Sequence, residues 1–287
     1  MGGHEYSGEV TQVGSEVASF RVGDAAVFCF GNFCGVCTNC RLGSPNFCLE
    51  KRPLANAGGG FAEYVAVLTP AHGCGLFPKP ESLSFSHAAI AEPASCGIAA
   101  VERGGSRAGQ WAAVVGLGAI GHFISQVLFG AGVRVIGIDV SGNRLHAARP
   151  FCRELINPAQ LNPVATVMEI TGGVGVDHAY EAVGVEETLT AALQMTRVGG
   201  TTVLAGVFGQ PMKWFHPEWV FRRDLTVIGA KGRPLLTPQG KAVVLEYIQR
   251  GIIRPSAVVA EFPLSRAAEA FAAQNAAECL KAVIVPA

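Results

Sequence analysis

Charge is scarce in this chain and neither sign is in excess. Only 15% of its 287 residues are charged, with 22 Lys+Arg against 22 Asp+Glu. A nucleic-acid binder needs a basic excess or stripe, so that class is excluded. The same balance gives no electrostatic attraction to an anionic membrane. MGGHEYSGEV has no basic stretch followed by an apolar one, so no secretory leader is expected. Repeats and low-complexity tracts are absent. General disorder is excluded as well, since 49% of the residues are hydrophobic and few are charged. Residues 111–133 carry no charge and are long enough to span a bilayer. Gly116, Gly118, Gly121 and Gly130, with His122, Ser125 and Gln126, fit a buried strand, turn and helix better. A cytoplasmic protein without a membrane partner is the expectation.

Glycine is abundant, at 36 residues, nearly double the usual share of about 7%. With no collagen-like period, these glycines mark turns and close backbone approaches. The nine cysteines are an odd number in a chain large enough to bury a core without staples. That argues against a secreted disulfide framework and for a reducing compartment with metal-bound thiolates.

Three textures follow one another. Up to about residue 85, apolar and polar residues alternate between glycines, as in Glu9-Val10-Thr11-Gln12-Val13 and Phe61-Ala62-Glu63-Tyr64-Val65-Ala66-Val67. Period two predicts antiparallel strands with one exposed face. The Pro/Gly-rich run 69–80 reads as a connection. From 86 to about 233, short apolar runs (112–115, 133–138, 203–205) alternate with helix-length segments, the pattern of a parallel sheet covered on both faces. Beyond Lys231-Gly232-Arg233-Pro234 the pattern predicts a helix over 239–250, a strand over 258–262, a helix near 265–273 and a last strand over 282–285.

Two local motifs carry chemistry. Cys34, Cys37, Cys40 and Cys48 have the spacing C-x2-C-x2-C-x7-C. Four soft thiolates within fifteen residues suit a tetrahedral zinc ion with every position filled, hence a structural one. Gly35, Asn39 and Gly43 help the loop wrap the ion. Cys29, in an apolar run nearby, reads as a small buried residue. The second motif is Gly116-Leu117-Gly118-Ala119-Ile120-Gly121, a G-x-G-x-x-G after one apolar strand and before a helix, with Asp139 closing the next strand. Gly116 permits the tight turn, Gly118 the approach of a pyrophosphate, and Gly121 close helix–strand packing. Ala119 and Ile120 open the helix whose positive end faces the phosphates. Asp139 would bind ribose hydroxyls and repel a 2′-phosphate, favouring NAD over NADP, although Arg144 nearby could accommodate that phosphate.

The adjacent His4 and Glu5 are both zinc-ligand types. Glu92, in Ala91-Glu92-Pro93-Ala94-Ser95, stands in an otherwise apolar stretch and would be costly to bury unpaired.

GHEYSGEV, the run from Gly14 to Asp24, CGVCTNC with Cys48, GGFAEY, AEPASCG and VVGLGAIG occur here in the order found in zinc-dependent medium-chain alcohol dehydrogenases. The chain resembles that family over essentially its whole length, and its Glu-Pro motif is similar to the sorbitol, threonine and polyol branch. The resemblance implies an α/β fold with a GroES-like, mainly-β catalytic domain over 1–85, a Rossmann doubly wound parallel sheet over 86–233, and a return to the catalytic domain over 234–287. It implies catalytic zinc at His4 and Glu5, with Glu92 ligating the ion or holding its water. It places Cys96, Val183 and Val207 near the nicotinamide and Lys281 at the pyrophosphate. The family carries a further cysteine ligand, with a Ser/Thr and an Asp, well upstream of the His-Glu pair. Here only Met1-Gly2-Gly3 precede it. The expectation is therefore an N-terminally truncated catalytic domain, in a fragment or a naturally short protein; the spacing of Cys29 and Cys74 does not support either as a substitute ligand.

The activity so implied is zinc- and NAD-dependent hydride transfer between a small secondary alcohol, polyol or amino alcohol and NAD, in a homodimer or homotetramer. Two alternatives stand beside it. One is a truncated NAD-binding protein with impaired catalysis. The other is a zinc-free NADPH quinone or enone reductase, disfavoured by His4-Glu5, the cysteine lobe and Asp139.

Overall fold

The computed structural model describes residues 2–28, 34–50, 59–67, 76–232 and 238–286. The largest element is a six-stranded, all-parallel sheet. Its strands are β4 (Trp111–Val115), β5 (Arg134–Ile138), β6 (Glu154–Ile156), β7 (Val176–Glu181), β8 (Thr196–Leu204) and β9 (Thr226–Gly229), in the order β6-β5-β4-β7-β8-β9. The chain winds outward from β4 through β5 to β6, then returns to β7 on the other side of β4. The crevice between β4 and β7 is thus the point where winding reverses, where open parallel sheets bind ligands.

Alternation along the strands divides the core into two layers. Ala112, Val114, Val135, Tyr180 and Val203 face helices α3 (Ala91–Gly104), α4 (Ala119–Gly130) and α9 (Pro238–Gln249), contributing Ile98, Phe123, Ile124, Leu128, Val244 and Ile248. Ala113, Val115, Ile136, Ile138 and Ala179 face the other side, against Val167 of α6 (Pro163–Ile170) and Ala192 and Met195 of α7 (Glu186–Met195). A strand covered on both faces is mostly apolar, which is why these runs lack alternation. Residues 111–133 form β4, the turn and α4, as expected; among the described residues no helix is long and apolar enough to cross a membrane.

Outside this sheet lie an antiparallel sheet, β1 (Ser7–Glu9), β2 (Ala25–Phe28) and β3 (Leu76–Pro78), and a parallel pair, β10 (Val259–Pro263) and β11 (Lys281–Val285). Helix α2 (Phe85–Ala89) packs on β1, β10 and β11, joining the beginning and end of the chain. The helices after the large sheet, α9 and α10 (Ala267–Asn275), fall within a few residues of the expected bounds.

Two expected strands differ. Only Glu9 of the predicted strand 9–13 lies in one, and 61–67 lies in none. Alternation marks two faces, but a strand also needs a hydrogen-bonded neighbour. The pairing stops at Val10, whose N–H reaches the Asp24 carbonyl at 2.9 Å. Beyond it Thr11, Gln12, Val13, Tyr64, Val65 and Val67 line a cavity of about 1080 Å³. Segment 61–67 is held instead by the Gly60 and Phe61 N–H groups on the Gly3 and Gly2 carbonyls, and by the Phe61 ring edge-on to Phe271 at 5.2 Å. Most of the connection 69–80, with Cys29, Cys74, Arg233 and Pro234, lies outside the described residues, and the connection ends in β3.

Candidate active site

The glycine turn leaves β4 at the reversal point. Gly116 has φ +90, and a Cβ there would lie 2.5 Å from Val183 Cγ2. A Cβ on Gly121 would fall 1.8 Å from the Gly116 carbonyl oxygen, so α4 packs against the turn with no room for a side chain. Gly118, at the N-cap of α4, is the opposite case: nothing lies within 4 Å of the position its Cβ would take. That open space beside free N–H groups at a helix N-terminus fits a pyrophosphate. Ala119 and Ile120 form the first turn of α4.

Asp139 follows β5, with its side chain 4% exposed. Its Oδ2 accepts from the Leu117 N–H at 2.7 Å and its Oδ1 from the Ser141 N–H at 2.8 Å. Arg144, on α5 (Gly142–Ala148), approaches to 3.6 Å. The carboxylate therefore braces the glycine turn while sitting one strand to the side of it.

Val183 and Val207 follow β7 and β8. The two loops interlock, since a Cβ on Gly184 would be 2.3 Å from the Val207 carbonyl oxygen. Between them lies Glu181, which no motif had singled out. It is fully buried at the end of β7, and its Oε1 accepts from Val183 N, Gly184 N and Thr188 Oγ1, each at 2.8 Å. The only sequence signal for it is an acid closing an otherwise mostly apolar strand.

The second cluster joins distant parts of the chain. His4 and Glu5 precede β1, where the next residue, Tyr6, stacks on Phe28 of β2 with ring centroids 4.3 Å apart. Glu92 occupies the first turn of α3. One ligand atom from each of His4, Glu5 and Glu92 lies within 4.8 Å of the others. Glu92 is pushed up to about 7, first by burial and then by the Glu5 charge, with Lys281 opposing. A half-buried carboxyl that resists ionising, with a second acid beside it, is a place where a divalent cation is welcome. Imidazole and carboxylate are the donors zinc takes, so the residues fit that ion. Lys281, at the start of β11, pairs with the Glu5 carboxylate. The residue expected at the pyrophosphate is placed at this cluster, where it offsets one of the two acids. Cys96, one turn along α3 from Glu92, is pushed up to about 12 by burial and is not among the converging ligand atoms.

The cysteine lobe folds around the one-turn helix α1 (Thr38–Arg41), with Gly35 at φ +74 and Gly43 at φ +75, and the Asn39 amide donating to the Phe47 carbonyl at 2.6 Å. The sulfurs of Cys37 and Cys40 are 3.5 Å apart, those of Cys37 and Cys48 3.9 Å, and those of Cys34 and Cys40 4.0 Å. A tetrahedron with zinc–sulfur bonds of about 2.3 Å has edges of about 3.8 Å, whereas a disulfide is about 2.05 Å. The four thiols fit an S4 zinc site. N–H groups of Leu49 and Cys40 lower the Cys37 thiol to about 6, while burial raises Cys40 to about 12.

Comparison with known proteins places these features together. A family model described as alcohol dehydrogenase GroES-like domain matches residues 1–81, and one described as zinc-binding dehydrogenase matches 119–244. The sorbitol dehydrogenase of Bacillus subtilis is 30% identical over 99% of this chain and 80% of its own length. The (R,R)-butanediol dehydrogenase of the same organism is 34% identical over 80% of this chain and 65% of its own. Among solved structures, the alcohol dehydrogenase TADH from Thermus sp. ATN1 superposes with a TM-score of 0.85 at 29% identity, covering 99% of this chain and 83% of that one. A zinc-binding dehydrogenase from Sinorhizobium meliloti 1021 bound to NADP gives 0.85 at 28% identity, covering 99% and 82%. The glycine turn, the cysteine lobe and the His-Glu cluster thus occur on a shared scaffold, and the chain belongs to the zinc-dependent medium-chain alcohol dehydrogenase family.

Proposed function

We propose that this chain is an oxidoreductase acting on CH–OH donors, dependent on zinc and NAD, that moves a hydride between a secondary alcohol, polyol or amino alcohol and the nicotinamide. The observation that carries the reading is the convergence of the adjacent His4 and Glu5 with Glu92, 87 residues beyond Glu5, to within 4.8 Å, where His4 and Glu5 line a cavity of about 1080 Å³. Relatives named for sorbitol, butanediol and threonine support the substrate class.

On this reading His4, Glu5 and Glu92 would hold the catalytic ion, and Cys34, Cys37, Cys40 and Cys48 a structural one. Zinc supplies a Lewis acid for the alcohol oxygen, and the bound dinucleotide supplies the hydride acceptor. The remaining work belongs to the chain. Lys281 pairs with the Glu5 carboxylate and opposes, without cancelling, the burial that raises Glu92. Gly118 lets the pyrophosphate reach the N-terminus of α4, and Asp139 meets the adenosine ribose, its charge selecting against a 2′-phosphate with Arg144 tempering that selection. We assign 1–85 and 234–287 to the catalytic part and 86–233 to the nucleotide-binding part.

The test is reduction of NAD and of NADP by a panel of butane-2,3-diol, sorbitol, threonine and propan-2-ol. The reading predicts oxidation of at least one, with NAD preferred. A chain that binds NAD yet oxidises none is the impaired dinucleotide-binding protein instead. Light scattering on the same sample reports whether it is the dimer or tetramer expected.

A further inference from the structure

Glu181 presents a carboxylate with no exposure to solvent, three donors converging on one oxygen and none among the described residues on the other. A buried acid arranged so one-sidedly calls for a reason beyond packing. Its main-chain carbonyl accepts from the Ala205 and Gly206 N–H groups, and a Cβ on Gly206 would lie 2.6 Å from its Oε2. One residue therefore ties together three segments: its carboxylate holds the turn after β7 and, through Thr188, the first turn of α7, while its main-chain carbonyl holds the loop after β8. Val183, held by this tie, in turn closes over Gly116.

The sheet order gives that tie a direction. Asp139 stands at the end of β5 and the open cradle of Gly118 at the end of β4. A dinucleotide with its adenosine ribose at β5 and its pyrophosphate at β4 must extend its other half over the far neighbours, β7 and β8. The side chains there are Val183 and Val207, 46% and 88% exposed. They are open walls carried on the loops that Glu181 ties together.

We propose that Glu181 is a positioning residue for the nicotinamide half of the dinucleotide. Its carboxylate holds the turn 182–184, and through it Val183 and Val207, at the crevice wall. The proposal rests on the dinucleotide reading above and is tested apart from turnover. Calorimetric titration with NADH and with ADP-ribose, which lacks the nicotinamide, compares the wild type with Glu181→Ala, Glu181→Gln and Thr188→Val. Glu181→Ala weakens NADH about tenfold by removing an acceptor of three hydrogen bonds, while ADP-ribose stays within about twofold because its contacts lie over β4 and β5. Glu181→Gln keeps the accepting oxygen and recovers most of the NADH affinity. Thr188→Val loses one of the three donors and weakens NADH about threefold, again sparing ADP-ribose. Equal weakening of both ligands, or no weakening of NADH, overturns the proposal. Should Glu181→Ala not fold, Thr188→Val decides by the same ratio. A wild type that binds neither ligand defeats the dinucleotide reading itself and this inference with it.

Discussion

Gly118 and Gly121, three residues apart, make opposite predictions, and the pair separates ligand approach from packing. In Gly121→Ala the new methyl would sit 1.8 Å from the Gly116 carbonyl oxygen and 3.4 Å from Val114 Cγ1. Carbon and oxygen need more than an ångström of further separation, and the obstacle is backbone rather than a flexible side chain. Overpacking of a buried site costs about 1–3 kcal/mol, and an unyielding neighbour puts this case at about 3. At about 2–4 °C per kcal/mol for a chain of this size, Tm falls by roughly 6–12 °C. In Gly118→Ala the methyl meets nothing within 4 Å, and φ −63, ψ −174 is open to alanine. Stability then changes by no more than about 1 kcal/mol, the cost of a poorer N-cap. The methyl does occupy the space through which a phosphate would reach the helix N-terminus. Loss of one charge-assisted hydrogen bond, about 1.5–3 kcal/mol, weakens NADH roughly 10- to 100-fold. Thermal melts and NADH fluorescence titrations measure both. A Gly118→Ala protein that binds NADH like the wild type, or a Gly121→Ala protein with an unchanged Tm, refutes the account of the turn.

Cys40→Ala should remove one zinc per chain and make residues 34–48 the first site of proteolysis, with NADH affinity held within about threefold because the lobe lies off the crevice. Zinc retention by the wild-type lobe should also weaken as pH falls, since every thiol must lose its proton to bind. For the metal-free protein, Glu92 gives a pH dependence of the less usual sign. Its folded value of about 7 exceeds the ordinary 4.5, so the folded state binds more protons between those limits and stability declines as pH rises through that window. The decline is about 3.5 kcal/mol at about 1.4 kcal/mol per unit. Glu92→Gln should abolish that slope in pH-dependent urea melts; an identical slope in both proteins would contradict the assignment.

How much of this was legible in the sequence follows from distance along the chain. The thiols within 34–48 and the span from Gly116 to Asp139 are local, and their spacing encodes geometry almost directly. The parallel sheet was legible because most of its strands, buried on both faces, have apolar runs without alternation. His4 and Glu92 lie on separate elements, so their meeting could be expected only from resemblance, and no spacing rule reaches from Glu5 to Lys281. Glu181 was nearly invisible because two of its three partners are backbone N–H groups, which any sequence supplies. The alternation in 61–67 misled because it specifies faces and not a hydrogen-bonding neighbour.

The central claim is that His4, Glu5 and Glu92 share one ion separate from the thiolate lobe. Zinc per chain in the wild type and in His4→Ala tests it most directly. The account predicts two zincs in the first and one in the second, with NADH affinity unchanged between them. One zinc in each, or two in each, contradicts it.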